Sequence, residues 1–375
     1  MKRVAYILLL LICFWVIWIF TASYAYNEPS QNLSSLHLEH LQFDTLNKGN
    51  IVAIQPEMFA EDYSSETHFY AKINAYFEKA FKENYFEENT IVLLPEYLGT
   101  WLVASNERKS ILNAASIETA MACIILMQPC KFMKTFTQHK GEKDKLAATI
   151  FRMKAEKMAQ IYSNVFKKLA QEYQVDIVAG SIILPEPKIE NNHLKVSKKS
   201  PLYNVSFYFQ KDGKIHPSVV KKVFPIEDEL SFLASGNVES LPVFTTNLGK
   251  VGVLVCADSW YPEAYKNFDE NDVEIILVNS FCAGNSTMQT KWQGYDGNDN
   301  PEDIDLKDIS SITEQEAWVK YALPGRLKTL NPALGVNVFL GGNVWGLGSD
   351  GSPFFIYQNE LIHPSEKHGI WNIKI

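Results

Sequence analysis

The sequence has few of the residues that build metal sites or disulfide frameworks. Its 375 residues include five cysteines and eight histidines. No CxxC pair and no histidine cluster at zinc-ligand spacing occurs, which argues against a zinc module and a disulfide scaffold. Cys123 and Cys130 could pair in an oxidising compartment, or both could be reduced and buried, and their positions do not decide between these alternatives.

The chain also has fewer basic than acidic residues. The chain has 35 Lys+Arg against 43 Asp+Glu, a formal net charge of -8, and no basic stripe with interleaved aromatic residues. Nucleic acid is therefore not an expected partner. The chain is 46% hydrophobic and 13% aromatic, which is enough for a large core in one big domain or two modest ones.

The long apolar run of the chain lies near its start. Two basic residues precede the uncharged run VAYILLLLICFWVIWIF at positions 4–20, whose length falls between a secretory h-region of about 7–15 residues and a membrane span of about 20. Trp15 and Trp18 favour a retained anchor, whereas residues 23–25 offer a cleavage site. We therefore interpret residues 1–25 as a signal peptide or single transmembrane anchor, with the following domain membrane-anchored and extracytoplasmic, or secreted or periplasmic.

After this segment, residues 26–48 are polar and are predicted to be a linker, and residues 49–375 are predicted to form one catalytic domain. Strand and helix patterns alternate through the domain, which predicts an α/β fold with mixed sheets. A helical insertion at about 105–145 interrupts the alternation. The main predicted elements are strands at Ile51–Gln55, Thr90–Pro95 and within SVVKKVFP (218–225), and helices at Thr67–Asn84, Asp144–Tyr173, Tyr261–Asp269 and Thr313–Thr329.

Three chemically active residues stand at or near the ends of predicted buried strands. The apolar run VGVLV stops at Cys256, and TIVLLP leads into Glu96. In SVVKKVFP, alternation turns one of Lys221 and Lys222 inward, and a lysine that faces a core needs a charge partner. A lone buried cysteine is more often a core residue than a nucleophile. A carboxylate and a lysine beside it, however, would supply a base and a cation for acyl transfer to sulfur.

The motifs LLPEY, VVKKVFP and VLVCADSWYPE, in this order, resemble those of the nitrilase (carbon-nitrogen hydrolase) superfamily, and the similarity covers nearly everything from Asn50 onward. This resemblance implies a four-layer α-β-β-α sandwich that dimerises through sheet-flanking helices and needs no metal or organic cofactor. It also implies a small-molecule amide as substrate, with membrane contact left to the N-terminal segment.

The same resemblance implies roles for single residues. Glu96 would be the general base and Cys256 the nucleophile that forms a thioester, with the backbone N–H of Ala257 at the oxyanion. Lys222 is favoured over Lys221 as the catalytic lysine, and Glu229 is favoured over Glu227 as a second carboxylate.

Departures from the superfamily pattern bear on the substrate. Ala257-Asp258 follows the cysteine where nitrilases tend to have Trp-Glu, which favours amide or carbamoyl substrates over nitriles. The predicted function is therefore hydrolysis of a non-peptide C–N bond. The alternatives are an N-acyltransferase or nitrilase of the same superfamily, and an inactive binding protein.

Three further segments were open to a functional interpretation. The insertion (105–145) is a core helix with a basic end, or it lies on a membrane surface or shapes an apolar acyl pocket. The glycine pattern at 346–351 is followed by a strand pattern rather than a helix, which indicates a turn and not a dinucleotide site. The acidic run GYDGNDNPEDIDLKD (294–308) indicates a solvated loop, which we expect near the mouth of the site.

Overall fold

The computed structural model describes residues 6–7, 9–10, 13–15, 17, 21, 28–29, 33, 36–43, 48–138, 141–328 and 334–375. The strands are β1 (His37–Gln42), β2 (Asn50–Gln55), β3 (Glu57–Phe59), β4 (Thr90–Leu94), β5 (Asp176–Pro185), β6 (Lys188–Glu190), β7 (His193–Lys195), β8 (Leu202–Phe209), β9 (Val220–Lys221), β10 (Val243–Thr246), β11 (Gly249–Val255), β12 (Ile275–Ser280), β13 (Leu334–Phe339), β14 (Gly341–Asn343), β15 (Phe354–Tyr357), β16 (Glu360–Ile362) and β17 (Gly369–Lys374). The α-helices are Glu66–Lys82, Lys109–Leu112, Ile117–Met127, Pro129–Phe136, Lys145–Tyr173, Glu227–Leu230, Pro262–Glu270, Glu314–Tyr321 and Leu323–Leu327.

Two large sheets carry the fold. The first has seven strands in the order β1-β17-β2-β4-β5-β8-β9, and the second has six in the order β10-β11-β12-β13-β15-β16. The central strands β2, β4 and β5 run parallel, as do β11, β12 and β13, and antiparallel strands flank both groups. Parallel strands at the centre of a sheet are normally buried on both faces by other layers of structure.

The burial of β2 explains why the molecule has four layers. Its alternate residues Ile51 and Ala53 belong to the core between the two sheets, whereas Val52 and Ile54 belong to the core under the first layer of helices. All four side chains are fully buried, because successive residues of a strand point to opposite faces. The predicted α-β-β-α sandwich is therefore confirmed.

The helices that cover the first sheet have the expected amphipathic and capping pattern. The helix Lys145–Tyr173 begins at Asp144, whose Oδ1 accepts the N–H groups of Leu146 and Ala147 at 3.0 Å. Its buried face packs on β5, and buried apolar side chains of both elements belong to the core between the first sheet and its helices. A carboxylate that accepts two of the free N–H groups at a helix start stabilises that helix by about 1 kcal/mol.

Two predicted elements differ from the observed ones. In SVVKKVFP only Val220–Lys221 is strand. The N–H of Lys222 still donates to β8, but those of Val223 and Phe224 donate to the Asp258 carboxylate instead of to a neighbouring strand. The single helix predicted at 313–329 is divided in two at Ala322, whose backbone is extended. Pro324 then lies in the first turn of the second helix, where its missing N–H does no harm.

The residues before the predicted catalytic domain also contain structure. Residues 37–42, predicted as part of an irregular linker, form β1 and pair in parallel with β17 at the edge of the first sheet. Most of the predicted signal or anchor segment lies outside the described residues. In the part of the chain that the structure describes, no helix has the length and apolar character needed to cross a membrane.

The insertion contains three short helices between residues 109 and 136. Neighbouring ones pack on each other, and the second and third also pack on the helix Lys145–Tyr173. Cys123 is half-buried in it, Cys130 is exposed, and both thiols are free. The alternative in which these two cysteines form a disulfide is therefore not observed.

Candidate active site

The sequence-predicted carboxylate and thiol come from facing sheets. Glu96 follows β4 of the first sheet, and Cys256 follows β11 of the second. Asn279 on β12 donates a hydrogen bond from Nδ2 to the carbonyl of Leu94 at the end of β4, so the strand ends of the two sheets are tied together at this point. The fold therefore brings two residues 160 positions apart in sequence to one place.

The two adjacent lysines have opposite surroundings. Lys222 is 2% exposed and lies between two carboxylates. Lys221 is partly exposed, its Nζ lies 2.8 Å from Glu186 Oε1, and it also lies over the ring of Tyr203. This is the split that strand alternation requires, and the structure places Lys222 at the site and Lys221 outside it.

Lys222 is the centre of a buried ion cluster. Its Nζ lies 2.9 Å from Glu96 Oε1 and 2.5 Å from Glu229 Oε2. Asn204 Nδ2, from β8, donates to Glu96 Oε1 at 2.8 Å and to Glu229 Oε1 at 3.1 Å. Because every charge in the cluster has a partner, its burial is tolerable.

Glu229 is held at its position by further donors. The Tyr97 hydroxyl donates to its Oε1, and the backbone N–H of Ile226 donates to its Oε2 at 3.0 Å. Its neighbour Glu227 is exposed. The structure thus brings Glu229, and not Glu227, into the cluster with Glu96 and Lys222.

The pKa values of the three ionisable groups in the cluster shift in a consistent pattern. The neighbouring carboxylates keep the pKa of Lys222 well above its ordinary value despite burial. Against the effect of burial, Lys222 holds the pKa of Glu229 below its ordinary value. Lys222 and Glu229 therefore offset each other, and Glu96 is the surplus carboxyl group. Its burial, and next the charge of Glu229, raise its pKa to about 7, although Lys222 and the Cys256 thiol act in the other direction.

Cys256 lies at a tight, buried turn at the end of β11. Its φ of 49° is in the left-handed region, which costs a non-glycine residue energy and is often found at functional sites. Its Sγ lies 3.5 Å from the carbonyl oxygen of Phe281. Burial, and next the charge of Glu96, raise the pKa of this thiol well above its ordinary value, which favours its protonated form.

Asp258 fixes the turn around Cys256. Its Oδ1 accepts the N–H groups of Val223 at 2.9 Å and Phe224 at 2.8 Å, and its Oδ2 accepts that of Val255 at 3.2 Å. It therefore joins the lysine segment to the cysteine turn. Burial raises its pKa to about 7.

Sequence reasoning missed three groups at this site. These are Asn204, Tyr97 and the carbonyl of Phe281. Their partners lie far away in the sequence, and no local pattern predicts such contacts. The only sequence signal at Asn204 was an N-x-S pattern. Its side chain is 1% exposed and bound to two carboxylates, so it has no room for a glycan.

The acidic run at 294–308 packs on the segment that precedes Glu229. Asn298 Nδ2 donates to the carbonyl of Pro225 at 2.9 Å, and Asp296 Oδ1 accepts the N–H of Glu227 at 3.2 Å. The glycine pattern at 346–351 is followed by β15 and not by a helix. Among the described residues no group of three or more histidine, cysteine or acidic side chains has the geometry to hold a metal ion.

The candidate site is thus a buried Glu-Lys pair beside a strand-end cysteine on an α-β-β-α sandwich. A model of the carbon-nitrogen hydrolase family matches residues 51–294. The chain belongs to the carbon-nitrogen hydrolase family.

Individual relatives agree with this assignment. The chain is 26% identical over 121 residues to a probable hydrolase of Bacillus subtilis, YhcX, over 32% of this chain and 21% of that protein. The match to a probable nitrilase of Schizosaccharomyces pombe is 27% identical over 110 residues, 29% of this chain and 36% of that protein. The aligned parts thus span well under half of these relatives.

Solved structures share the fold. A carbon-nitrogen hydrolase from Helicobacter pylori superposes with a TM-score of 0.54 at 18% identity, covering 87% of this chain and 89% of that one. A mutant amidase from Nesterenkonia sp., which shows Michael addition of acrylamide at its active site cysteine, superposes with a TM-score of 0.52 at 13% identity, covering 87% and 93%.

Proposed function

We propose that this protein hydrolyses the C–N bond of a small amide through a thioester on Cys256. The observation that carries the proposal is the buried cluster in which Lys222 and Glu229 offset each other and leave Glu96 beside the thiol, with a pKa of about 7. A carboxyl group that titrates near neutral pH can both accept and return a proton.

The first half of the proposed reaction transfers the acyl group to sulfur. Glu96 takes the thiol proton while Sγ of Cys256 bonds to the carbonyl carbon. Negative charge develops on the carbonyl oxygen, where the Lys222 ammonium and the N–H of Ala257 stabilise it. The C–N bond then breaks, Glu96 gives its proton to the nitrogen, and ammonia or an amine leaves.

The second half releases the acid. Glu96 takes a proton from water, the oxygen of the water bonds to the thioester carbon, and the C–S bond breaks. Sulfur recovers the proton from Glu96, so the enzyme returns to its starting state. Glu229 keeps Lys222 paired whenever Glu96 is protonated.

Two observations support an amide as the substrate. Ala257-Asp258 follows the nucleophile instead of the Trp-Glu of nitrilases, and Asp258 is occupied by three backbone N–H groups. The Nesterenkonia amidase, a fold relative, carries an acrylamide adduct on its active site cysteine in a mutant form.

The test is mass spectrometry of the purified protein after exposure to acrylamide and to a panel of simple amides and nitriles. We expect an adduct on Cys256 that decays with release of acid for hydrolysable amides. Cys256→Ala should show no adduct at that site, whereas Cys282→Ala, which removes another partly buried thiol, should behave like the parent.

Each other outcome has a distinct meaning. Products that appear only with an added amine would favour an N-acyltransferase, and a nitrile-derived thioester would favour a nitrilase. Failure of Cys256 to react with any compound at neutral pH would contradict the proposal and leave the inactive binding protein.

Two further expectations from the sequence concern the location and the oligomeric state of the protein rather than its chemistry. One is an extracytoplasmic catalytic domain, anchored or released, behind residues 1–25. The other is a homodimer formed through sheet-flanking helices. Protease accessibility in intact cells tests the first, and light scattering of the purified protein tests the second.

A further inference from the structure

A cavity of about 490 Å³ lies beside the candidate active site. Tyr97 and Trp101, which follow β4, form one wall, and the insertion and the helix Lys145–Tyr173 form the others. The volume is in the range of pockets that bind small molecules, roughly 300–1,000 Å³.

The surface of the cavity is mainly apolar. Ile117, Met121 and Ile125 recur at every fourth position of the helix Ile117–Met127, so they lie on one face, and all three line the cavity. Each is only partly buried, in contrast to Ala120 and Ile124 of the same helix, which are in the core. The three side chains therefore pack partly against the first core and leave the rest of their apolar surface at the cavity.

Tyr97 lies between the cavity and the cluster of Glu96, Lys222 and Glu229. Its side chain lines the cavity, and its hydroxyl donates to Glu229. On another side, the Tyr97 ring lies 5.6 Å from that of Phe281, whose carbonyl oxygen is 3.5 Å from Cys256 Sγ. Asp228, directly before Glu229, also lines the cavity.

The charged residues at the cavity have one sign. Glu118, Asp144 and Asp228 line it, and no lysine or arginine is among its described lining residues. Acidic side chains disfavour a carboxylate or phosphate and accept a neutral or cationic group. A substrate that reaches both places would have an apolar part in the cavity and its amide at Cys256.

We propose that this cavity binds an apolar group of the amide substrate, of several carbon atoms, in a substrate with no negative charge. The proposal rests on the proposed amidase function and adds the substrate class. The group is bonded either to the carbonyl carbon or to the nitrogen of the amide, and the experiment separates these two positions.

The first measurement is binding without turnover. Calorimetry on full-length Cys256→Ala compares acetamide, butyramide, hexanamide and octanamide with the matching N-alkylacetamides. We expect affinity to rise roughly threefold or more for each added CH₂ over part of one series, because each buried CH₂ stabilises binding. The series that shows the rise identifies which side of the amide enters the cavity. Hexanoate should bind more weakly than hexanamide.

The second measurement fills the cavity. Met121→Trp, on a partly buried position, should lower affinity of the Cys256→Ala protein for the longest favoured amide about tenfold or more and leave acetamide within about twofold. In the otherwise unchanged protein it should lower kcat/KM for the long amide in the same way. Leu126→Trp is the control, since Leu126 is exposed on the same helix and does not line the cavity.

The outcomes separate this proposal from the amidase proposal. No dependence of affinity on length in either series, or equal losses for Met121→Trp and Leu126→Trp, overturns the cavity proposal. Length-dependent binding to Cys256→Ala, with no hydrolysis by the parent protein, supports the cavity and overturns the amidase function instead.

Discussion

Lys222 Nζ lies 2.9 Å from Glu96 Oε1, and both side chains are only 2% exposed. An ion pair this deep needs all of its partners, because removing one leaves an uncompensated charge in a medium of low dielectric. Glu229 and Asn204 complete the arrangement. The site is therefore held as one unit, and changes to its members should affect stability and activity together.

Replacement of the buried lysine is the most direct test of this unit. Lys222→Met should lower the free energy of unfolding by about 3–5 kcal/mol, because it leaves two carboxyl groups without their cation. It should also lower amide hydrolysis at least about 100-fold through loss of oxyanion stabilisation. Urea denaturation and steady-state rates measure the two effects.

The neighbouring lysine is a matched control. Lys221→Met breaks a partly exposed ion pair with Glu186, which should cost about 0–1 kcal/mol and leave hydrolysis nearly unchanged. Equal effects of the two substitutions would contradict the assignment of Lys222 to the site.

The pH dependence of activity should reflect Glu96. In the proposed reaction this group must be deprotonated to take the thiol proton, and its pKa is raised to about 7. We therefore expect kcat/KM for a short amide to rise as pH increases through about 7. A rate profile between pH 5 and 9 measures it, and a limb near pH 4.5, the ordinary value for glutamate, would show that another group or an unperturbed Glu96 controls the rate.

Removal of the second carboxylate should move the pH at which the rate rises, which we call the limb of the pH profile. The negative charge of Glu229 is one of the causes that raise the pKa of Glu96, and without it Lys222 has Glu96 as its remaining carboxylate in the cluster. In Glu229→Gln the limb should move to lower pH even though the rate falls.

The position of this limb distinguishes an electrostatic role for Glu229 from a purely structural one. The rate of acrylamide addition to Cys256 provides the profile if turnover is too slow. Glu227→Gln, at an exposed neighbour, should leave the limb in place, and an unmoved limb in Glu229→Gln would count against the proposed coupling.

Much of this site could be predicted because its reactive residues lie near the ends of segments with strand periodicity. Glu96 and Cys256 each follow a run of buried residues, and alternation separates Lys221 from Lys222. The apolar runs at Ile51–Gln55, Thr90–Pro95 and VGVLV also predicted one or more core strands in each sheet. These signals are local, so they can be recognised without knowledge of the tertiary structure.

The remainder depends on contacts between distant segments. Asn204 reaches Glu96 across 108 positions and Tyr97 reaches Glu229 across 132, and no periodicity encodes such pairs. β1 has the polar sequence HLEHLQ with partly exposed residues, so its pairing with β17 at a sheet edge carried no apolar signal. The cavity, likewise, exists only because the insertion packs against a helix that follows it in the chain.

The dependence of stability on pH offers a separate test through Asp258. Burial raises its pKa from 3.8 to about 7, so the folded protein binds a proton that the unfolded chain has already lost. Its contribution to stability is complete below the unfolded pKa and is lost as pH rises through about 7. Asp258→Asn removes this titration, so its free energy of unfolding should fall less steeply than that of the parent between pH 5 and 8. Urea denaturation at several pH values measures the slopes. Asp272→Asn, at a highly exposed carboxylate, should keep the parental slope, and a parental slope in Asp258→Asn would mean that Asp258 titrates alike in the folded and unfolded chains.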